Sequence, residues 1–77
     1  MIELINFLIQ KITGSTEFEV TETQDERGAL FTVKAKPEII GLIIGKAGKT
    51  IKNIRRIASI RATAENKFVN INVIEMD

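Results

Sequence analysis

The sequence contains neither cysteine nor histidine, and these two absences exclude several classes of chemistry. Without cysteine the chain forms no disulfide and offers no thiolate as a metal ligand or nucleophile. Without histidine it lacks the side chain that most often acts as a general acid or base near neutral pH, and also the commonest nitrogen ligand of zinc. An enzyme of this sequence would depend on carboxylates and lysines, so we expect neither catalysis nor a cofactor.

The chain is also short, and its length limits what it can enclose. We expect its 77 residues to form a single domain over residues 1–77, which buries only about 60% of the surface exposed by the unfolded chain. The apolar fraction of 44% and the charged fraction of 27% are ordinary for a globular protein. The expected result is one modest core without a deep substrate cavity.

An apolar segment begins the sequence but does not resemble a signal peptide or a membrane span. The stretch MIELINFLIQKI is interrupted by Glu3, Asn6 and Gln10, it has no basic region, and no small-residue cleavage site follows it. It is also shorter than the roughly 20 apolar residues that cross a bilayer. We therefore expect a soluble, cytoplasmic protein without membrane contact.

Charge is distributed unevenly along the chain although the net charge is only +1. Residues 1–28 carry a net charge of −4, residues 29–61 carry +7 and residues 62–77 carry −2. A local cationic region inside a nearly neutral domain is a candidate site for a polyanion. A solvated basic helix would give the same charge pattern, and charge alone does not separate the two interpretations.

Apolar periodicity predicts the element order α-β-β-α-α-β. Helices show apolar residues three or four positions apart, whereas strands show alternation. Gly14 marks the end of the first helix, and Pro37 with Glu38 begins the second. The predicted elements are a helix over residues 2–12, strands over 17–23 and 29–36, helices over 37–44 and from about 48 to 63, and a strand over 68–74.

Most apolar side chains fall on the inner faces of these elements. Others do not, and three of these either flank the core or form a candidate partner interface. The residues that share the predicted inner faces are Ile2, Ile5, Leu8, Ile9, Ile12, Phe18, Val20, Ala29, Phe31, Val33, Ala35, Ile51, Ile54, Ala58, Ala62, Val69, Ile71 and Val73. The three candidates for a partner interface are Leu4, Phe7 and Ile60.

The connections between the strands predict the topology of the sheet. The short link between the first two strands indicates an antiparallel hairpin. The two helices between the second and third strands form a crossover, which joins parallel strands and is right-handed. The expected fold class is therefore α+β, a three-stranded mixed sheet of order 1-2-3 with all three helices packed on one face.

The segment GKAGKT at residues 45–50 ends in the Gly-Lys-Thr of a P-loop, but its spacing is wrong for one. The pattern G-x-x-x-x-G-K-[ST] requires a glycine at position 43, where this chain has Ile43. A P-loop also follows a strand, whereas a helix is predicted before this loop. The sequence therefore argues against an NTPase.

The same segment fits a connection between two helices that holds an anion. Gly45 is expected to end the helix over residues 37–44 in the left-handed conformation. Gly48 leaves the start of the following helix without a Cβ. Amide N–H groups and the positive end of the helix dipole are exposed there. Lys46 and Lys49 are unfavourable at a helix N-terminus unless an anion lies between them. A tight turn with solvated lysines is the alternative.

The stretch IIGKAGKTIKNI, from Ile43 to Ile54, resembles the KH-domain signature (I/V)-I-G-x-x-G-x-x-I-x-x-(I/L) at every fixed position. The predicted element order resembles the type II, bacterial arrangement of the KH domain. The length of the chain is similar to that of small stand-alone bacterial KH proteins. The resemblance covers the whole chain and is sharpest over residues 41–55.

This resemblance implies that the chain binds single-stranded RNA, or single-stranded DNA, through a GXXG loop that clamps about four nucleotides by their backbone. The bases would lie in an apolar groove between the two KH helices and the sheet, with residues 64–67 and 70–72 as the opposite wall. Arg56 is an alternative to Arg55, and Ile51 is equally compatible with core packing. The implied binding residues are Gly41, Ile44, Gly45, Lys46, Ala47, Gly48, Lys49, Ile51, Lys52 and Arg55.

The resemblance also implies a post-transcriptional RNA-binding or RNA-chaperone role. Similar proteins associate with themselves and with a larger KH-containing protein, so a homodimer or such a heterodimer is expected as well. The chain has only four aromatic residues, all phenylalanine, and few cations opposite the loop. We therefore expect no stacking platform for bases, weak binding and a modest sequence preference.

Overall fold

The computed structural model describes residues 1–76 and has the predicted element order. A single 3₁₀ turn, Lys46–Gly48, separates the second and third helices. The regular elements are α1 (Ile2–Thr13), β1 (Phe18–Gln24), β2 (Gly28–Ala35), α2 (Pro37–Ile44), α3 (Lys49–Ala64) and β3 (Phe68–Glu75). Every predicted boundary lies within one residue of these bounds.

The sheet is mixed and has the order β1-β2-β3, which confirms the predicted topology. β1 runs antiparallel to β2, with Phe18 opposite Ala35 and Gln24 opposite Ala29. β3 runs parallel to β2, with Gly28 opposite Phe68. The crossover through α2 and α3 therefore returns the chain to the far side of β2, and β3 is left as an edge strand.

One face of the sheet and the inner sides of the three helices form the core. Along β2 the side chains of Phe31, Val33 and Ala35 are fully buried, while Lys34 between them is exposed, as alternation along a strand requires. The helices cover only this face, as predicted. The fully or almost fully buried residues are Ile5, Ile9, Phe31, Val33, Ala35, Ile43, Ile51, Ile54, Ala58, Ala62 and Ile71.

Helix α1 ends as predicted, but one of its predicted core residues is wrong. Gly14 adopts the left-handed conformation, with φ 67° and ψ 17°, and its N–H donates to the Gln10 carbonyl. Ile12 was expected to face the core, and it is 39% exposed. It lies on the same helical stripe as Ile9, but the last turn of α1 extends past the buried cluster. No helix within residues 1–76 is both long enough and apolar enough to cross a bilayer.

The turn between β1 and β2 brings the start of β2 against the start of β3. Asp25 Oδ1 accepts hydrogen bonds from the backbone amides of Arg27, at 2.8 Å, and Gly28, at 3.0 Å. Gly28 has a φ of 155°, and a Cβ on it would collide with the backbone of Phe68. Parallel pairing can therefore begin at this position only because Gly28 has no side chain.

We expect Gly28→Ala to lower the free energy of unfolding by at least about 2 kcal/mol, because the added methyl group meets backbone that cannot rotate away. Gly14→Ala is the matched control. Its φ is also positive, but its Cβ would meet no atom within 4 Å, so only the backbone penalty of about 1 kcal/mol applies. Urea unfolding measures both values, and equal losses would contradict the steric explanation.

Candidate functional site

The loop between α2 and α3, which we call the GKAG loop (Gly45–Gly48), turns through three residues with positive φ. Gly45 has φ 74° and ψ 177°, Ala47 has φ 56° and ψ 25°, and Gly48 has φ 73° and ψ 14°. Gly45 was predicted to be left-handed; its φ agrees with that prediction, but its ψ is extended and does not. Its positive φ combined with an extended ψ belongs to a region that is essentially restricted to glycine, so the requirement for glycine is stricter than the sequence indicated.

Gly45 also packs directly against the first turn of α3. A Cβ on Gly45 would collide with Cβ and Oγ1 of Thr50. No pattern in the amino-acid sequence indicated a role for Thr50, because the contact depends on how sharply the loop folds back. Because these two residues are so close, the chain passes from α2 to α3 through a very short connection.

The backbone of the GKAG loop is open towards solvent. A Cβ on Gly48 would meet no atom within 4 Å, and α3 begins there without a side-chain cap. Among the described residues 1–76, the amides of Lys46 and Ala47 find no backbone acceptor. These N–H groups and the uncapped start of α3 together provide unpaired donors at the positive end of a helix dipole.

Ala47 holds a conformation that is unfavourable for its residue type. A left-handed alanine costs roughly 1–2 kcal/mol relative to the right-handed region. Such strain persists only where the surrounding structure or a function requires it. In this loop it turns the Lys46–Ala47 segment outward, which supports a functional reading of the two residues between the glycines.

Cationic side chains surround the loop and continue along α3. Lys46, Lys49, Lys52 and Arg56 are all exposed, and no acidic residue occurs between Lys46 and Ala64. The lysines therefore keep their charge free of acidic neighbours along this part of the chain. The positive region that the sequence predicted is a continuous surface from the GKAG loop along the outer side of α3.

Arg55 differs from the other predicted cations because it is already bonded within the protein. Its Nη2 donates to the carbonyl of Ile71 at 3.2 Å, and the N–H of Ile71 donates to Asn70 Oδ1 at 3.1 Å. Arg55 therefore ties α3 to the outer edge of β3. The guanidinium was predicted only as a contact for the nucleic-acid backbone, and the sequence contained no signal for this second role.

The apolar border of the predicted groove is formed on α2. Gly41 and Ile44 lie three residues apart on one side of α2, where Gly41 is exposed and Ile44 is 39% exposed. Their predicted placement on the exposed side is therefore correct. Ile51, for which contact with the bases and core packing were both open, is only 7% exposed and belongs to the core cluster. Its position is therefore in the core.

The predicted opposite wall included residues 70–72, and these do not share one side of β3. Ile71 is buried in the core, whereas Asn70 and Asn72 on either side of it are exposed on the sheet face that no helix covers. Phe68 is 78% exposed, but it follows the C-terminal end of α3, which is about 24 Å from the GKAG loop along a 16-residue helix. A surface depression near Phe68 is lined by both acidic and basic residues.

Within residues 1–76, no cluster of acidic side chains could hold a metal ion.

The candidate partner residues are exposed to different degrees. Phe7 is 56% exposed and Ile60 is 66% exposed, whereas Leu4 is half-buried. The ammonium group of Lys11 lies 5.6 Å from the centre of the Phe7 ring, within cation–π range. Phe7 and Ile60 therefore remain candidates for a protein contact, and Leu4 is the least exposed of the three.

Comparison with known proteins agrees with this geometry. The family model described as "KhpA/KhpB, KH domain" matches residues 2–73. The RNA-binding protein KhpA of Clostridium perfringens is 32% identical over 75 residues, which are 96% of this chain and all of that protein. KhpA of Clostridium acetobutylicum is 36% identical over 58 residues, covering 75% of this chain and 77% of that protein.

A shorter similarity extends to a much larger protein. The polyribonucleotide nucleotidyltransferase of Microcystis aeruginosa is 38% identical over 47 residues, which are 61% of this chain and 7% of that protein. The matching family model covers residues 2–73, and the Clostridium perfringens relative is aligned over its whole length. The fold, the GKAG loop and these matches together show that the chain belongs to the KhpA/KhpB KH-domain family.

Proposed function

We propose that this protein binds single-stranded RNA, and single-stranded DNA by the same contacts, through the GKAG loop. The observation that carries the proposal is the outward-facing loop backbone, with two unbonded amides between Lys46 and Lys49. A phosphate placed there would accept hydrogen bonds from the loop and would complement the start of α3. The relatives named RNA-binding protein KhpA support the choice of RNA as the ligand.

The remaining surface suits a nucleic-acid strand that leaves the loop in an extended form. Lys49 and Lys52 would contact successive phosphates, since they lie on the exposed side of α3. Bases would rest against Gly41 and Ile44, where the helix surface is apolar and lacks a side chain at one position. A strand of about four nucleotides fits the contacts typical of a GXXG loop.

A clamp of this kind would bind many sequences weakly. It relies on backbone amides and a few lysines, and none of the four phenylalanines falls within residues 41–56. Such binding suits a post-transcriptional RNA-binding or RNA-chaperone role in the cytoplasm. We propose a binding protein and not an enzyme, because the Gly-Lys-Thr segment follows helix α2 and a P-loop follows a strand.

Replacing both loop residues with acids tests the clamp. We expect Lys46→Asp with Ala47→Asp to lower the affinity for a short RNA at least tenfold, because two carboxylates would repel the phosphate. For the unchanged protein, three or four phosphate contacts give a slope of log affinity against log salt of roughly −2 to −3. Fluorescence anisotropy over a salt series measures both quantities.

The matched control is Asn6→Asp with Lys11→Asp, which makes the same change in net charge on the exposed side of α1. Its affinity should stay within about threefold of the unchanged protein, since long-range effects between exposed charges are screened. Unfolding curves show whether both double variants fold. RNA binding that survives the loop change in a folded protein would exclude the GKAG loop as the clamp.

Gly41→Ala separates stability from binding. A glycine inside a helix costs up to about 1 kcal/mol relative to alanine, and a Cβ on Gly41 would meet no atom within 4 Å. We expect the variant to be more stable and to bind RNA more weakly, since the methyl group narrows the groove. Leu42→Ala, on a different side of α2, should leave the affinity within about twofold. Unchanged affinity in Gly41→Ala would show that no base reaches this part of α2.

A second function, association with another KH protein, is favoured by the exposure of Phe7 and Ile60. Both are large apolar side chains that are more than half exposed, and a partner that covered them would remove apolar surface from water. We propose that they contribute to a homodimer or to a heterodimer with a larger KH-containing protein. This association is compatible with RNA binding, because both residues lie outside the GKAG loop.

Self-association can be tested with Phe7→Glu. The new carboxylate would sit one helical turn before Lys11, so the helix gains an ion pair where it loses the cation–π contact. We expect sedimentation velocity to show a concentration-dependent dimer for the unchanged protein and a monomer for Phe7→Glu. Asn6→Glu adds the same charge at the next exposed position and should still dimerise. A protein that is monomeric at every concentration would contradict the homodimer.

A further inference from the structure

The two edge strands of the sheet differ in how their outer backbone groups are bonded. β3 pairs with β2 on one side only, and Ile71 lies at the middle of its other edge. The Ile71 carbonyl accepts a hydrogen bond from Arg55 Nη2, and the Ile71 N–H donates to Asn70 Oδ1. A further strand could pair with β3 here only by breaking both hydrogen bonds, so this edge is protected.

The outer edge of β1 is open by comparison. The N–H of Asp25 donates to the Gly28 carbonyl at 2.9 Å, and from this pair hydrogen-bonded and non-hydrogen-bonded pairs alternate along the hairpin. The register continues without a break to the other end of β1. Within residues 1–76, no side chain and no loop backbone bonds to the N–H and C=O groups that point away from β2. These groups, which we call the β1 edge, belong to Phe18, Val20, Glu22 and Gln24.

Exposed acidic side chains surround the β1 edge. Residues 15–26 contain no lysine or arginine, and the cation opposite Glu19 on β2 is Lys34. The edge therefore carries an excess of negative charge, which repels a nucleic-acid backbone and also a second copy of β1. The acidic residues are Glu17, Glu19, Glu22, Asp25 and Glu26.

Each face of β1 would meet one row of side chains on an added strand. Phe18 and Val20 are half-buried against the core, on the face that the helices cover. Glu19 and Thr21 are exposed on the other face. An extended segment that alternates apolar and basic residues would match both rows, because paired strands bring side chains on the same face together.

We propose that the β1 edge binds an extended, basic segment of another protein as a fourth strand. The segment would pair with the free backbone groups, and the acidic side chains would select it by charge. Helix α3, which carries the cationic surface, packs on β3 at the opposite edge of the sheet. The inference therefore does not depend on the proposed clamp, and both ligands can be bound at once.

Two capped octapeptides test the charge preference, one of alternating lysine and valine and one of alternating glutamate and valine. We expect the unchanged protein to bind the lysine peptide at least tenfold more tightly in calorimetric titration. Glu19→Lys with Glu22→Lys should reverse this preference. The matched control is Glu38→Lys with Glu75→Lys, which makes the same charge change at exposed positions of α2 and β3. It should keep the affinity for the lysine peptide within about threefold, because separated exposed charges are screened.

A proline on the β1 edge tests the backbone pairing. Glu22→Pro removes an N–H that points away from β2, and an edge strand tolerates proline at such a position. Glu22→Gln is the matched control, since it removes the same charge and keeps the N–H. We expect Glu22→Pro to bind the lysine peptide at least about fivefold more weakly than Glu22→Gln, as loss of a hydrogen bond predicts. If unfolding curves show that Glu22→Pro does not fold, Gln24→Pro against Gln24→Ala gives the same comparison.

Any of three results would overturn the inference. The first is that the unchanged protein binds both peptides equally or binds neither. The second is equal affinity in the proline variant and its control, which would show attraction between charges without strand pairing. The third is a homodimer that Glu22→Pro dissociates, since a second copy would then occupy the β1 edge. None of these results bears on the clamp, because no variant in the series changes the GKAG loop.

Discussion

The close packing of Gly45 on Thr50 is the constraint on which the candidate site depends. Because no Cβ fits between them, the chain turns from α2 into α3 within a single 3₁₀ turn. That path leaves the amides of Lys46 and Ala47 without backbone acceptors and starts α3 without a side-chain cap. A looser connection would let a polar side chain or the loop itself cover these donors, and the proposed anion would find none of them free.

The other side of the site depends on the parallel pairing of β2 with β3. Gly28 lets the two strands meet at their first residues, so β3 runs the full length of the sheet as an edge strand. Arg55 then joins α3 to the middle of this edge through the Ile71 carbonyl. The same two backbone groups that would invite a further strand are bonded to side chains, which protects the edge from unintended pairing while keeping polar groups available beside α3.

The architecture was predictable because its signals are local, whereas the departures depend on tertiary placement. Strict alternation in β2 and the glycine after α1 fixed elements to within a residue, and the connection lengths fixed the sheet order. A helical stripe indicates a face but not where the core ends, so Ile12 was misplaced. The bond from Arg55 joins residues 16 positions apart, and the packing of Thr50 on Gly45 needs the exact turn. Neither contact can be predicted from the spacing of residues in the sequence.

Features that oppose local stability are concentrated between Gly41 and Lys49. This short segment holds a glycine inside a helix, an alanine in the left-handed region, and lysines at an uncapped helix N-terminus. Each costs a fraction of a kcal/mol to about 2 kcal/mol by itself. Elsewhere periodicity, turns and burial largely agree, as they do in sequences selected for folding. A bound phosphate would satisfy the free amides and the lysines at once and would add its binding energy to the stability of the fold. The local conflict therefore supports the proposal that a ligand binds at the GKAG loop.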